Sequence, residues 1–317
     1  MKQRECGGIL NKEAGSMAYD SDVGTRYAHT LQVLIWGAGQ QQNHFDRILA
    51  ANIAQWGYSA SVLPRNYSNK VVGLDGWDDI KADVLVCDLD GMLHSSISPG
   101  VNGQIASLLT GGDVQLPPVP LASLARLSIV LSSRSISRST LEQIGAVALL
   151  YKPFEMSLLQ RYLIVMQQLL KDEQAFAPRQ AQDDYRPADS NDGQVRVLVV
   201  DDHAEVARTI RQCLECEPTY DVRVAKDGLE ALELCITWQP QCIVTDLLMP
   251  WMNGYQVMRS LSAGRYRIVP AFVVLSALPR RELPVHPDYL KGKEIVFIEK
   301  PFHVEQLLQA VEQALAQ

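Results

Sequence analysis

VRVLVVDDHAEVARTIRQCLE, residues 195–215, joins a strand to a helix with two acids at the junction. Val195–Val200 is an almost unbroken aliphatic run, the pattern of a strand buried on both faces. Val206, Ile210, Cys213 and Leu214 then recur at i, i+4, i+7 and i+8, one face of a helix. Working outward, strands are predicted at Val222–Ala225, Gln241–Thr245, Ala271–Leu275 and Glu294–Ile298. Val304, Leu307, Leu308, Val311 and Leu315 form a closing helical stripe. Five strands alternating with helices imply a parallel sheet covered on both faces. In such sheets the functional rim lies at the carboxyl ends of the strands. Asp201-Asp202, Asp246, Ser276 and Lys300 each follow or end one of these runs, so the pattern places all of them on one rim.

The same plan is written a second time, upstream. Val33–Trp36 runs into Gly37-Ala38, Asp83–Cys87 into Asp88, and Ile129–Leu131 into Ser132-Ser133. Leu149–Tyr151 runs into Lys152-Pro153-Phe154, and a helix from Met156 to about Leu170 closes the unit. The expected fold class is α/β: two flavodoxin-like, doubly wound, five-stranded parallel-sheet domains in tandem. The expected domains are 29–170 and 195–317. Residues 1–28 and 171–194, KDEQAFAPRQAQDDYRPADSNDGQ, are polar and aperiodic, the composition of a flexible segment and a flexible linker. The repeat is a duplicated domain, because its period far exceeds the roughly 20–50 residues of a solenoid unit.

Composition narrows the function. Apolar residues make up 47% of the 317 residues and charged residues 21%, ordinary for a globular protein. The net charge is −7. Residues 29–175 hold 10 Lys+Arg against 12 Asp+Glu, and residues 195–317 hold 13 against 16. Neither half carries the basic footprint of a nucleic-acid binder. No secretory signal or membrane-spanning run is present, so the expected location is cytoplasmic. Cys213-x-x-Cys216 lies inside an amphipathic helical pattern with no second such pair, which favours a structural role over a redox one.

Asp201, Asp202 and Asp246 on one rim repel one another, by roughly 4 kcal/mol per close pair at an effective dielectric of 20. A cation must relieve them, and hard oxygen ligands suit Mg²⁺. Lys300 adds a positive charge and Ser276 a hydroxyl. A metal, a lysine and a hydroxyl around one carboxylate are what phosphoryl transfer to an aspartate needs. Alone, Asp201-Asp202 could be a helix N-cap and Asp246 a turn cap. In order, each at a strand end, they form one constellation.

Over its whole length the second half resembles the receiver domain of bacterial response regulators. The resemblance rests on VLVVDD (197–202), VTDLLMPWMNGYQV (244–257), VVLSA (273–277) and EKPF (299–302). It implies that Asp246 accepts a phosphoryl group from a histidine kinase or a histidine phosphotransfer protein. It also implies that Asp201, Asp202, Asp246 and the Leu248 carbonyl hold Mg²⁺, and that Ser276 and Phe297 form a switch pair. Pro250 and Gly254 would shape the loop after the acceptor, and Ala277 would leave room for the donor imidazole. Leu248 and Leu278 are expected to hinder water and lengthen the phosphoryl lifetime. One departure is ALPRRELPVHPDYLKGKE (277–294), whose Pro279, Pro284 and Pro287 disfavour the family's helix there. The usual dimer face is therefore in doubt, and a homodimer is left open.

In the first half Asp88, Ser132 and Lys152 align with Asp246, Ser276 and Lys300, but the acidic pair has no counterpart. Its place is taken by Gly37-Ala38, or by Asn43-His44 when 44 residues are counted back from Asp88 as in the second half. This half is expected to be a degenerate pseudo-receiver that binds Mg²⁺ poorly, with Lys152 paired permanently to Asp88. Asp88-Leu-Asp90-Gly91 also resembles the nucleophile motif of haloacid-dehalogenase-like phosphatases, although that motif belongs on a first strand. Gly37-Ala38-Gly39 hints at a dinucleotide loop but has Gln42 where a third glycine belongs. His44 and His94 read as loop residues, and TGGD (110–113) lacks the rest of a cyclase motif. The expected function is a phosphorelay response regulator with no DNA-binding output and no external substrate, acting through an unidentified downstream protein. The alternatives are the detached receiver portion of a hybrid histidine kinase relaying phosphate to a histidine phosphotransfer domain, a phosphatase-like first half, or a binding scaffold indifferent to phosphorylation.

Overall fold

The computed structural model describes residues 30–37, 44–63, 82–90, 121, 124–136, 138–171, 193–264, 269–277 and 295–316. Residues 1–28, residues 172–192 of the linker expected at 171–194, the proline-rich stretch with Leu278, and His94 lie outside these residues.

The first sheet is built from β1 (Gln32–Gly37), β2 (Ser59–Val62), β3 (Ala82–Asp88), β4 (Ala125–Ser132) and β5 (Ala148–Tyr151). Its helices are α1 (His44–Gln55), α2 (Arg138–Ile144) and α3 (Met156–Leu170). The second sheet contains β6 (Val195–Val200), β7 (Tyr220–Ala225), β8 (Cys242–Asp246), β9 (Ala271–Ser276) and β10 (Val296–Glu299). Around it lie α4 (Ala204–Glu215), α5 (Gly228–Trp238), α6 (Gly254–Ala263) and α7 (Val304–Leu315). Strand orders are β2-β1-β3-β4-β5 and β7-β6-β8-β9-β10, all parallel. Both are the 2-1-3-4-5 order of a flavodoxin-like sheet.

The central strands are buried on both faces because helices cover both faces: every residue of β8 and β9 is buried. β2 is the strand that the sequence pattern hides. Its four residues, SASV, are weakly apolar and mostly exposed at the sheet edge, so neither alternation nor an apolar run marks them. Strand pairing with β1, from Gln32 opposite Ser59 to Ile35 opposite Val62, decides its conformation.

The two sheets do not stand apart. One apolar cluster runs from β1, β3 and α3 of the first half into α5, α6 and β8–β9 of the second. The middle of α3 presents Leu159, Tyr162, Leu163 and Met166, all buried. Arg161 on the same helix forms a two-pronged pair with Glu233 of α5, at 2.6 and 2.5 Å. Gly145, with φ +77°, lies against the Arg259 guanidinium of α6, and a side chain there would overlap it. Burial in this shared core outweighs the charge pair, because Arg161 and Glu233 are each more than a third exposed. Leu163→Ala should therefore cost about 2–5 kcal/mol, and Arg161→Ala less than about 1 kcal/mol. Urea denaturation of the full chain measures both.

Candidate functional site

The site in the second half is assembled by strand register. Val200 lies opposite Thr245 across β6 and β8, so Asp201, the next residue, falls beside Asp246. Asp246 lies opposite Leu275 on β9, and Ser276 lies opposite Glu299 on β10. The Lys300 N–H donates to the Ser276 carbonyl at 2.7 Å, which fixes where the lysine leaves the sheet. Asp201, Asp246 and Ser276 are buried. Lys300-Pro301 is a cis peptide bond, as is Lys152-Pro153 in the first half.

Lys300 Nζ stands 2.9 Å from Asp246 Oδ2 and 3.5 Å from Asp201 Oδ2. The Leu248 N–H donates to the other oxygen, Asp246 Oδ1, at 3.1 Å. Asp201 Oδ1 accepts from the His203 N–H at 2.9 Å, while Asp201 Oδ2 is buried and accepts no hydrogen bond. Burial pushes the Asp201 carboxyl above its usual range. The His203 N–H and Lys300 oppose this, and the charges of Asp246 and Asp202 add to it. A buried carboxylate oxygen that accepts no hydrogen bond and stands among other carboxylates is suited to a hard divalent cation. Asp201, Asp202 and Asp246 are the residues that would hold it.

One side chain near the acidic pair, His203, was not singled out in the sequence. Atoms of Asp201, Asp202 and His203 all lie within 4.8 Å of one another, and His203 Nδ1 is 3.1 Å from Asp202 Oδ1. His203 directly follows the acidic pair, which is the signal that could have found it. Phe297 is half-buried against the shared core. Gly254 is required sterically, because a Cβ there would crowd the Asp246 carbonyl and the Thr245 side chain. Cys213 and Cys216 are free thiols; Cys213 packs against the core and Cys216 Sγ donates to the Gln212 carbonyl.

The first half brings Asp88, Ser132 and Lys152 together around Asp90. Lys152 Nζ is 2.6 Å from Asp88 Oδ1 and 3.2 Å from Asp90 Oδ2. It also lies 4.7 Å from the centre of the Phe45 ring. Asp90 accepts from the Ser133 N–H at both oxygens and from the Ser132 hydroxyl. Its carboxyl is held below the usual range: burial pushes it up, but the Ser133 N–H and Lys152 outweigh this. The Asp88–Lys152 pairing is thus extended to Asp90. β3 follows β1 and β2, unlike the first-strand position expected of a phosphatase nucleophile. Register selects between the two candidate positions for the missing acids: Gly37 lies opposite Asp88. Neither strand-end position carries an acid, but Asp46 on α1 is buried against Gly37. Burial raises the Asp46 carboxyl; the Asp88 charge adds to this and Lys152 opposes it.

The profile of the family described as response regulator receiver domain matches residues 197–312. The sensor histidine kinase TmoS of Ectopseudomonas mendocina is 36% identical over 115 residues, 36% of this chain and 11% of that protein. The response regulator MprA of a Mycobacterium species (strain KMS) is 34% identical over 114 residues, 36% of this chain and 47% of that protein. The chain thus spans less than half the length of these curated relatives. The crystal structure of the response regulator domain of Thermotoga maritima CheB is 28% identical, with a TM-score of 0.34 over 39% of this chain and 98% of that one. Residues 197–312 are a response regulator receiver domain of two-component signalling. Among the described residues no helix is long and apolar enough to cross a membrane.

Removing Lys152 leaves Asp88 and Asp90 without their cation. Lys152→Ala should lower stability by about 1–3 kcal/mol, below the full loss for a buried pair because the lysine side chain is 22% exposed. Gly37→Ala should destabilise by a similar amount, about 1–3 kcal/mol, by forcing a methyl against the Asp46 carboxylate. Asp46→Ala should relieve that strain. Chemical denaturation of the two single variants and the double variant gives the coupling.

Proposed function

We propose that Asp246 accepts a phosphoryl group, in a Mg²⁺-dependent step, from a phosphohistidine on a histidine kinase or a histidine phosphotransfer protein. The observation that carries this is the Asp246 carboxylate at the end of β8. Lys300 holds one of its oxygens, the Leu248 N–H holds the other, and the orphaned Asp201 oxygen lies alongside. Acceptance is a property of the receiver family; the residue roles and the donor are this proposal.

A carboxylate oxygen of Asp246 attacks phosphorus while the P–N bond to the donor imidazole breaks, and the imidazole nitrogen takes the electron pair. Lys300, already beside Asp246, neutralises charge on the transferred oxygens. Mg²⁺ would supply further neutralisation of the phosphoryl oxygens, held by Asp201, Asp202, Asp246 and the Leu248 carbonyl. Ser276, at the end of the neighbouring strand, is assigned to hydrogen-bond the phosphorylated product, with Phe297 moving in concert. The site performs no chemistry on an external substrate in this reading. Exposed Leu248 is assigned to slow attack by water.

Residues 29–170 are assigned as a receiver-like domain without the strand-end acid pair, and residues 195–317 as the phosphoacceptor. The signal leaves through protein contacts, a reading supported by the excess of acidic over basic residues in both halves and by the loop after Asp246. In that loop Trp251 adopts φ +65°, and its carbonyl accepts from the Leu149 N–H at 3.1 Å. Leu149 belongs to the edge strand β5, so the phosphoacceptor loop caps the open edge of the first sheet. A second reading, the receiver portion of a hybrid kinase relaying phosphate onward, is favoured by the match to the sensor histidine kinase.

Acetyl phosphate or beryllofluoride should modify the chain only with Mg²⁺. Asp246→Ala should abolish the modification, and Asp88→Ala should leave it intact, as read by intact mass and Trp fluorescence. Labelling that survives in Asp246→Ala and disappears in Asp88→Ala would reverse the assignment of the two halves.

A further inference from the structure

We propose that the first half also holds a divalent cation of the Mg²⁺ class, bound by Asp46 and Asp88, with helix α1 supplying the carboxylate that strand β1 lacks at Gly37. This goes beyond the function proposed above and stands whether or not Asp246 is phosphorylated.

The argument begins with register. Gly37 occupies, opposite Asp88, the place that Asp201 occupies beside Asp246. Glycine leaves that place without a side chain, yet the space is filled. The three nearest atoms to a Cβ built on Gly37 are the two oxygens and the carboxyl carbon of Asp46, all in overlap. The Asp46 carboxylate therefore lies where the first acid's side chain would begin, reaching it from the helix instead of the strand.

A second observation is independent of the first. Asp46 is 7% exposed, and its Oδ1 is fully buried with no hydrogen-bond partner among the described residues. Asp201 Oδ2 has the same status in the other half. The resident lysine does not satisfy Asp46, because Lys152 Nζ makes its short contacts to Asp88 and Asp90. A buried carboxylate oxygen without a donor is expensive unless a cation meets it.

The charge balance agrees. Lys152 contacts Asp88 and Asp90 and acts through its charge on Asp46, while Lys300 contacts Asp201 and Asp246, with Asp202 next in the chain. With all carboxylates ionised both clusters carry −2, the charge that one divalent cation cancels. The donors are hard oxygens, which suit Mg²⁺ or Mn²⁺ over softer metals. The rim side remains open to an ion, since the Lys152 and Asp90 side chains are 22% and 19% exposed.

The test counts Mn²⁺ bound to the full chain, by loss of the free-ion electron paramagnetic resonance signal, with Mg²⁺ as competitor. The native chain should bind two ions, and the Asp201→Asn/Asp202→Asn variant should keep one. Adding Asp46→Asn should weaken that remaining site at least about tenfold. Combining Gly37→Asp with Asp46→Ala in the same background, which moves the carboxylate from helix to strand, should restore it. Circular dichroism without metal confirms that each variant is folded. A single site in the native chain, lost in Asp201→Asn/Asp202→Asn, would overturn the proposal and leave Asp46 as a buried neutral acid. So would a second site that is indifferent to both Asp46→Asn and the relocated carboxylate.

Discussion

Both halves depend on one electrostatic constraint: an aspartate at the end of the middle strand of a sheet whose strands are otherwise apolar. Asp246 and Asp88 are both buried. Each is met by a lysine that arrives two strands away, Lys300 at 2.9 Å and Lys152 at 2.6 Å. These contacts require the carboxyl ends of three neighbouring strands to finish level. The register of β8 with β9 and of β9 with β10 delivers that in the second half. The pairings of β3, β4 and β5 deliver it in the first. A slip of one residue would carry every side chain of a strand to the opposite face.

On this shared frame the halves distribute their remaining acids differently. In the second, two acids follow β6 directly, and the backbone N–H of His203 turns back to hold one of them. In the first, β1 ends in glycine and the nearest carboxylates come from α1 and from the residue two beyond Asp88. Asp90 is saturated by backbone, hydroxyl and ammonium donors, whereas Asp46 keeps a buried oxygen without one. Number of carboxylates alone does not distinguish the sites; the route by which each carboxylate arrives does.

The two sheets communicate through packing. The loop leaving Asp246 carries Met249 and Met252 into the shared core, and Met252 lies so close to Gly228 that a Cβ there would overlap it. The same loop lends the Trp251 carbonyl to the edge of the first sheet. Close-packed interiors pass displacement on instead of absorbing it. Movement of the Asp246 loop is therefore opposed by contacts made in the other half of the chain.

Local sequence was enough to place nine of the ten strands among the described residues, the closing helices, and the strand-end positions of Asp201, Asp202, Asp246, Ser276 and Lys300. Apolar runs and the polar residues that end them are properties of neighbouring residues, and they survive without knowledge of the fold. The same applies to Asp88, Ser132 and Lys152, whose strand-end positions are legible one strand at a time. Tertiary structure alone decided the rest. β2 has no pattern of its own and exists by pairing with β1. The choice between Gly37 and Asn43 as the counterpart of the acids required the register with Asp88. Asp46 was invisible as a site residue because it lies nine positions beyond Gly37, on a helix. Only the packing of α1 against β1 returns its carboxylate to the strand end.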